Sequence, residues 1–477
     1  MAQAKAKTGN DKLTMADLTR DVDVVDTWFS SWLWPIAVFD GFEHQEELKY
    51  YYPTNALVTG WDIMFFWVAR MIMAGYEWSE DLLGKETVIA KGRQPFNDVY
   101  FTGMVRDNQR RKMSKSLGNS PDALQLIENY GADGVRFGML FSGSAGNDIV
   151  FDAPFDKKTK KALNESNLCN QGTKFCNKLW NAQKLVGLFK VAEISAEQQA
   201  LNQLSVNWME NKLNSVIADI NQKYETYRLS DILETLYNFI WNDFFSWYLE
   251  MTKNVSIVDK LAINYTDQAT MDKTTEIFEK LMTVLHPFMP FITEEIWHQL
   301  RERKDGEDCV ISAYPKAAAF DKKAIDLVEA AKDIVSNIRD VRNKNQLNKE
   351  PIAFFVQSSD KAKAMFDTAG VQEMISKLGI LKSFAFTDKE PENTVSFISG
   401  TDKFFVQLNK TIDKDAEKAR IEKELAHAKG FVTGIERKLS NERFVNNAPA
   451  VVIDKERKKL ADGQERVRNL EESLVKL

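Results

Sequence analysis

The run Arg110-Arg111-Lys112-Met113-Ser114-Lys115-Ser116-Leu117-Gly118-Asn119 decides how this chain is read. Just upstream, Asp98-Val99-Tyr100-Phe101-Thr102 is a short apolar run that reads as a buried strand. Just downstream, Ser120 suits a helix N-cap, Pro121 the first helical position and Asp122 the positive end of the dipole. That helix should stop near Tyr130, with Gly131 just past its end. Lys112 and Lys115 then fall on a loop at the carboxyl end of a strand, where ligands bind in open α/β sheets. Two ammonium groups flanked by Ser114 and Ser116 suit a polyphosphate, because lysine is a mobile point charge and hydroxyls add donors. Taken alone, the string reads first as a solvated basic turn.

Working outward, composition narrows the field. The chain has 477 residues, 44% hydrophobic and 28% charged, an ordinary globular composition with room for about three domains. A net charge of -6 means that any RNA binding must come from local patches. Cys169, Cys176 and Cys309 have no CxxC spacing, so they suggest neither zinc nor a disulfide framework and suit a reducing, cytoplasmic setting. His44, His286, His298 and His427 are scattered and suggest no ligand cluster; the expected metal ligands are none. The N-terminus lacks the apolar core of a signal peptide, and the apolar stretch from Ile63 to Ala74 is too short to span a bilayer, so no membrane partner is expected.

The texture changes along the chain. Thirteen of the 22 glycines lie before residue 150, which marks the first third as turn-rich α/β. Residues 1–21 read as a flexible lead-in. From 22 to 154 the pattern is strand, turn, helix: Ala56 to Thr59 as a buried strand, a turn at Gly60, and a helix opened by Asp62 and ended at Gly75. Residues 155–318 carry long amphipathic patterns, among them Ile232, Leu233, Leu236, Tyr237, Ile240, Phe244, Trp247 and Tyr248, read as core of a helical bundle. Pro287 and Pro290 break a helix there, and Thr293 suits the next cap. Residues 319–410 read as a small α/β module, with a helix through Ile334, Ile338 and Val341 and strands at Ile352–Val356, Ser383–Phe386 and Phe404–Leu408.

In 411–477, Ile421, Leu425, Ala428, Val432, Ile435 and Leu439 repeat at heptad spacing. After a turn region, Leu460, Gly463, Val467, Leu470, Leu474 and Leu477 do the same. Two such helices predict an antiparallel coiled-coil hairpin. Lys429, Arg437, Lys438, Arg443, Lys455, Arg457, Lys458 and Lys459 lie off the seam, as solvated charges or as a surface for a polyanion such as RNA. The fold class is therefore α/β plus all-α.

Lys112-Met113-Ser114-Lys115-Ser116 matches the second signature of class I aminoacyl-tRNA synthetases. Other stretches extend the likeness toward the valyl branch. Asp26-Thr27-Trp28-Phe29-Ser30-Ser31 and Asp62-Ile63-Met64-Phe65-Phe66-Trp67-Val68-Ala69-Arg70 resemble its catalytic domain. Phe175 to Ala182 and His286 to Phe291 resemble its helical anticodon-binding domain, and Leu439 to Pro449 is similar to the loop of its C-terminal arm. The resemblance covers nearly the whole chain from about Val22. It implies the second half of a class I Rossmann-like catalytic domain, an anticodon-binding bundle, a small α/β module and a coiled-coil tRNA-binding arm.

The chemistry so implied is ATP-dependent activation of valine and transfer to tRNA-Val, with ATP and Mg²⁺ as cofactors. Lys112 and Lys115 would stabilise charge on the α-phosphate and the leaving pyrophosphate. Ser114 and Ser116 would join them in binding ATP. Asp62 reads as a helix N-cap or as a partner of the ATP ribose, and the two are compatible. Ile63 and Trp67, at i and i+4, read by themselves as core residues; by resemblance they line the valine pocket with Trp28. The family's His-x-Gly-His signature and editing domain are not found here. The chain therefore resembles the C-terminal half of a longer enzyme, monomeric when complete, and is expected to be inactive without the missing N-terminal half. Arg110 also stands where the family usually has glycine, and Thr102 precedes Gly103 where many members have histidine. Two alternatives are a tRNA-binding module without catalysis and a portion of an isoleucyl or leucyl enzyme. Phe65-Phe66-Trp67 and the lack of cysteine zinc ligands weigh against the second.

Overall fold

The computed structural model describes all residues except 42, 144, 145, 259, 260, 409–413, 442, 443, 446–449 and 477. The chain divides into two compact units: residues 1–125, 139–167 and 227–230, and the remainder. No helix among the described residues is long and apolar enough to cross a membrane.

The first unit is built on two parallel strands, β1 (Thr54–Gly60) and β2 (Phe96–Thr102), in register from Thr54 opposite Phe96 to Gly60 opposite Thr102. Both were expected as buried strands, but only one face is covered. Leu57 and Thr59 are buried while Val58 is 60% exposed, and Asp98 is exposed on β2. The covered face packs Leu57 and Phe96 against Val68 and Met71, with Trp32, Trp67, Val99 and Phe101 at the margin.

The segment after β1 is longer and less regular than the sequence suggests. A 3₁₀ turn (Trp61–Ile63) and a π turn (Met64–Val68) lead into α1 (Ala69–Leu83). Gly75 does not stop the helix. It lies within α1, where a Cβ would come within 3.1 Å of the Arg93 carbonyl and 3.2 Å of the Tyr52 hydroxyl, so glycine serves close packing. The chain breaks instead at Gly84, at φ 83°. Asp62 is no N-cap either: Gly60 takes that position, and no side chain caps the turn.

After β2 come Gly103, a two-residue strand β3 (Val105–Arg106), the basic loop, and α2 (Ala123–Tyr130). The cap of α2 is Asp122, which accepts from the backbone N–H of Leu124 and Gln125 at 2.9 and 3.1 Å; the Ser120 hydroxyl instead donates to the Pro121 carbonyl. Gly131, at φ 73°, ends α2 as expected. Helix α3 (Ala132–Ser142) follows, then β4 (Ile149–Val150), which pairs in parallel with β3. The lead-in expected to be flexible contains a seven-residue α-helix at Ala2–Thr8.

The second unit is mainly helical: α4 (Asn167–Gly187), α5 (Ala196–Tyr224), α6 (Leu229–Asn238), α7 (Gln268–Leu285), α8 (Pro290–Leu300) and α9 (Lys322–Lys344). A π-helical segment, Phe239–Tyr248, prolongs α6. Ile232, Leu233, Leu236, Ile240, Phe244 and Tyr248 are buried as the spacing predicts, whereas Tyr237 and Trp247, also read as core, are only half-buried. Phe244 stacks on Tyr248 and meets Phe278 of α7 edge-on, with ring centroids 5.6 and 5.1 Å away. Thr293 does not cap α8, which Pro290 opens; its hydroxyl lies inside the helix and donates to the Met289 carbonyl.

The chain then forms a mixed sheet from β5 (Ile352–Gln357), β6 (Leu381–Thr387), β7 (Thr394–Ser399) and β8 (Asp402–Gln407), in the order β6-β5-β8-β7. Strand β7, buried along nearly its whole length, is not among the strands read from the sequence.

Two last helices, α10 (Lys414–Leu439) and α11 (Ala450–Lys476), pack along each other. Ile421, Ala428 and Leu470 are buried with Leu425, Val467 and Leu474 against them. Lys429 pairs with Glu471 at 2.6 Å and Lys438 with Glu456 at 3.3 Å, so the helices run in opposite directions. Leu477, Arg443 and residues 446–449 lie outside the described residues.

Helices α3 and α4 cross through glycine. A Cβ on Gly172 would lie 2.7 Å from Cβ of Phe137 and 3.0 Å from Cα of Gly134. Gly172→Ala should therefore overpack the crossing and cost about 1–3 kcal/mol. Gly430→Ala, on the exposed face of α10 with nothing within 4 Å, should stabilise by up to about 1 kcal/mol through helix propensity. Thermal unfolding of the two variants should move in opposite directions.

Candidate active site

The basic loop is shaped by one buried carboxylate. Asp107 directly follows β3 and is 3% exposed. Its Oδ1 accepts from the backbone N–H of Gln109 and Arg111 at 3.0 and 2.8 Å. Its Oδ2 accepts from Nε of Arg111 at 2.8 Å and from Nδ2 of Asn119 at 3.0 Å. Burial by itself raises the pKa of this carboxyl, but the hydrogen bonds from Asn119, Arg111 and Gln109 outweigh it and hold the value at about 2. The turn brings Lys112 back across Arg106 in an antiparallel bridge.

Arg110 sits at the tip of that turn with φ 64°. Glycine takes this left-handed conformation without strain, whereas a residue with Cβ is disfavoured by roughly 1–2 kcal/mol. Asn119, 1% exposed, closes the far end of the loop. Its Oδ1 accepts from the Ser114 N–H at 2.9 Å, and its Nδ2 also donates to the Lys112 carbonyl at 3.2 Å. Gly118 lies under Lys160, whose carbonyl would be 2.9 Å from a Cβ there. Inside the loop, the hydroxyls of Ser114 and Ser116 are 3.2 Å apart. With its backbone held from within, the loop turns Lys112, Lys115 and Ser116 to the exposed side and leaves Ser114 half-buried.

The loop faces the end of β1. Nζ of Lys112 lies 3.9 Å from Oδ2 of Asp62, and both side chains are substantially exposed. Asp148, just before β4, braces the stem of the loop: it accepts from Nε of Arg106 and from the Met104 N–H at 3.0 Å, and these bonds lower its pKa. Two widely separated residues expected at one site, Asp62 and Lys112, are thus brought together. Lys115 lies three residues farther along the same loop, in the turn closed by the Gly118 N–H on the Lys115 carbonyl.

The three residues expected to line a pocket are only loosely related. Trp67 is half-buried, donates its Nε1–H to the Ser31 carbonyl at 3.1 Å and packs on Trp34 with centroids 5.8 Å apart. Trp28 lies against Phe66, the residue before Trp67, at 5.6 Å. Ile63 is half-buried at the junction of the 3₁₀ and π turns, so its relation to Trp67 is not that of i and i+4 in a regular α-helix. Asp107 and Asp148 were not anticipated, and Asn119 was read only as part of the string. Asp107 and Asn119 carry the one signal available in sequence, Asp and Asn next to turns, where their side chains bond local N–H groups.

The depressed Asp107 carboxyl stabilises the fold fully above its unfolded value near 4, and this contribution fades as pH falls toward about 2. Asp107→Asn should lower the melting temperature by a constant amount above pH of about 4, and the gap to the parent chain should close between about 4 and about 2. Melting curves of both forms across that range check the sign.

Three family models fall in succession along the chain. One described as tRNA synthetases class I (I, L, M and V) matches residues 1–152. Anticodon-binding domain of tRNA ligase matches 206–352, and Valyl tRNA synthetase tRNA binding arm matches 413–477. A Valine--tRNA ligase of Bacteroides thetaiotaomicron is 45% identical over 483 residues, covering 100% of this chain and 50% of that protein. The Parabacteroides distasonis protein of that name is 44% identical over 99% of this chain, and the Chlorobaculum tepidum one 33% over 98%, again at 50% of their own lengths. Among solved structures, an Agrobacterium radiobacter LeuRS in a ternary complex aligns at a TM-score of 0.44 with 17% identity, over 64% of this chain and 34% of that one. The chain spans about half the length of the curated relatives it matches, and along that half it belongs to the class I tRNA synthetases, in the valine--tRNA ligase family.

Proposed function

We propose that this chain supplies the ATP-closing loop and the tRNA-binding surfaces of a valine--tRNA ligase. The observation that carries the reading is the approach of Lys112 to Asp62 at 3.9 Å, across a loop whose backbone is held by buried Asp107 and Asn119. In the proposed reaction, a carboxylate oxygen of valine attacks the α-phosphorus of ATP, the bond to the β-phosphate oxygen breaks, and pyrophosphate leaves. A hydroxyl of the terminal adenosine of tRNA-Val then attacks the acyl carbon and AMP departs.

The demand on the protein in the first step is positive charge placed where phosphate charge develops. Lys112 and Lys115 meet it as exposed ammonium groups on a fixed backbone, with Ser114 and Ser116 as donors. Asp62 would accept from the ribose hydroxyls, with Lys112 released to the phosphates. Trp28, Ile63 and Trp67 would shape the valine pocket. Mg²⁺ would be carried by the ATP phosphates: Asp62 is a single carboxylate, and among the described residues the clusters of three or more metal-type ligands lie elsewhere.

The division of labour follows the boundaries read in the sequence. Residues 22–154 are assigned to the second half of the Rossmann-like catalytic domain, 155–318 to the anticodon-binding bundle, 319–410 to the small α/β module and 411–477 to a coiled-coil arm on tRNA. Val58, Phe65 and Phe66 are 60, 73 and 49% exposed beside β1, an apolar surface suited to the remainder of a catalytic domain. Cys169, Cys176 and Cys309, read as thiols, suit a reducing, cytoplasmic setting.

Binding measurements on the chain test the reading. Lys112→Ala and Lys115→Ala should each weaken ATP by roughly 10-fold or more, as expected for a charge-assisted contact. Removal of residues 411–477 should weaken tRNA-Val, which should be held in preference to a non-cognate tRNA. Unchanged ATP affinity in both lysine variants, or equal affinity for the two tRNAs, would overturn the proposal.

A further inference from the structure

Three chelating side chains that are not recognisable as a set in the sequence meet at the end of α8. Glu294 and His298 are one helical turn apart and share a face. The chain after α8 folds back onto that face. The Cys309 and Val310 N–H groups donate to the two oxygens of Glu294 at 2.7 and 3.2 Å, and Nε1 of Trp297 donates to the Glu307 carbonyl at 2.9 Å. This return places Asp308 beside His298. Nε2 of His298 is 3.2 Å from Oε1 of Glu294 and 3.1 Å from Oδ1 of Asp308.

We propose that Glu294, His298 and Asp308 bind a divalent transition metal of the Zn²⁺ class. The first argument is geometric. Metal–nitrogen and metal–oxygen bonds of about 2.0–2.2 Å leave neighbouring ligand atoms roughly 2.9–3.5 Å apart in octahedral or tetrahedral arrangement. Both contacts of His298 fall in that interval, and the three ligand atoms lie within 4.8 Å of one another. The second argument is electrostatic. Two carboxylates converge on one nitrogen, whose single N–H can align well with only one of them; a dication satisfies both.

The third argument is the support around the ligands. Glu294 is oriented by two backbone N–H groups. His286 has Nδ1 engaged with the Thr293 hydroxyl at 2.8 Å, which leaves its Nε2 4.0 Å from the other oxygen of Glu294. Backbone donors like those on Glu294 fix ligand orientation in metal sites. The imidazole favours Zn²⁺, Ni²⁺ or Co²⁺ over Mg²⁺ or Ca²⁺, which prefer all-oxygen sets. The bound metal would fasten residues 301–311 to α8.

Titration of the metal-stripped chain with Zn²⁺ against a chromophoric chelator, and with Co²⁺ followed by visible absorption, tests the site. A single saturable equivalent is expected, with a rise in melting temperature on loading. His298→Ala and the nearly isosteric Asp308→Asn should each weaken binding at least roughly 10-fold. His44→Ala, in the exposed trio Asp40, Glu43 and His44, should leave it unchanged. Absence of saturable binding, binding that survives both His298→Ala and Asp308→Asn, or binding lost in His44→Ala would overturn the assignment. In the first case the cluster is only a hydrogen-bonded latch.

Discussion

The candidate site depends on the burial of one carboxylate. Asp107 is removed from water and must find donors, and it finds them in the backbone and side chains of the loop that follows. That requirement folds the chain back at Arg110 and draws Asn119 under the loop. Asn119 in turn engages both Ser114 and Lys112 through their backbone atoms. The polar groups of the main chain are thereby used inside, and the side chains of Lys112, Lys115 and Ser116 are left on the exposed side. A loop held this way can present charge without first ordering itself, which lowers the entropic cost of binding.

The same principle links the loop to its surroundings. Asp148 accepts from Arg106 and Met104, and so joins β3 to the segment just before β4. Gly103 makes that junction possible: a Cβ there would lie 1.9 Å from the Asn147 carbonyl. Close backbone approach, more than hydrophobic area, decides where these short elements meet. The off-seam basic residues of the last two helices show the opposite economy. Lys429, Lys438, Arg457 and Lys459 are each paired with an acidic neighbour, so an RNA phosphate would have to compete for them.

Where a pattern repeats, the sequence was legible. Most residues at helical spacing in Ile232 to Tyr248 and in Ile421 to Ile435 are buried, because a face that repeats every turn has only one way to leave water; Tyr237, Trp247 and Leu425 lie at its margin. Single-residue signals were less secure. Ser120, Asp62 and Thr293 are all plausible caps by type, yet the observed cap near the loop is Asp122, and Thr293 bonds within its own helix. Gly75 looked like a stop and is a packing contact. The choice among such neighbours is worth about 1 kcal/mol locally, and tertiary packing readily overrides it.

By itself, the sequence determined the helical and α/β character of successive regions, the basic loop and its lysines, and the family. Those features rest on residue order and periodicity, which local physics reads directly. Only the tertiary structure decided that Asp62 faces Lys112, that Asp107 and Asn119 hold the loop between them, and that His298 meets Asp308 beneath Glu294. The scattered histidines looked unrelated along the chain for the same reason. A long-range contact exists only once the intervening residues have folded, and no spacing in the sequence encodes the distance across it.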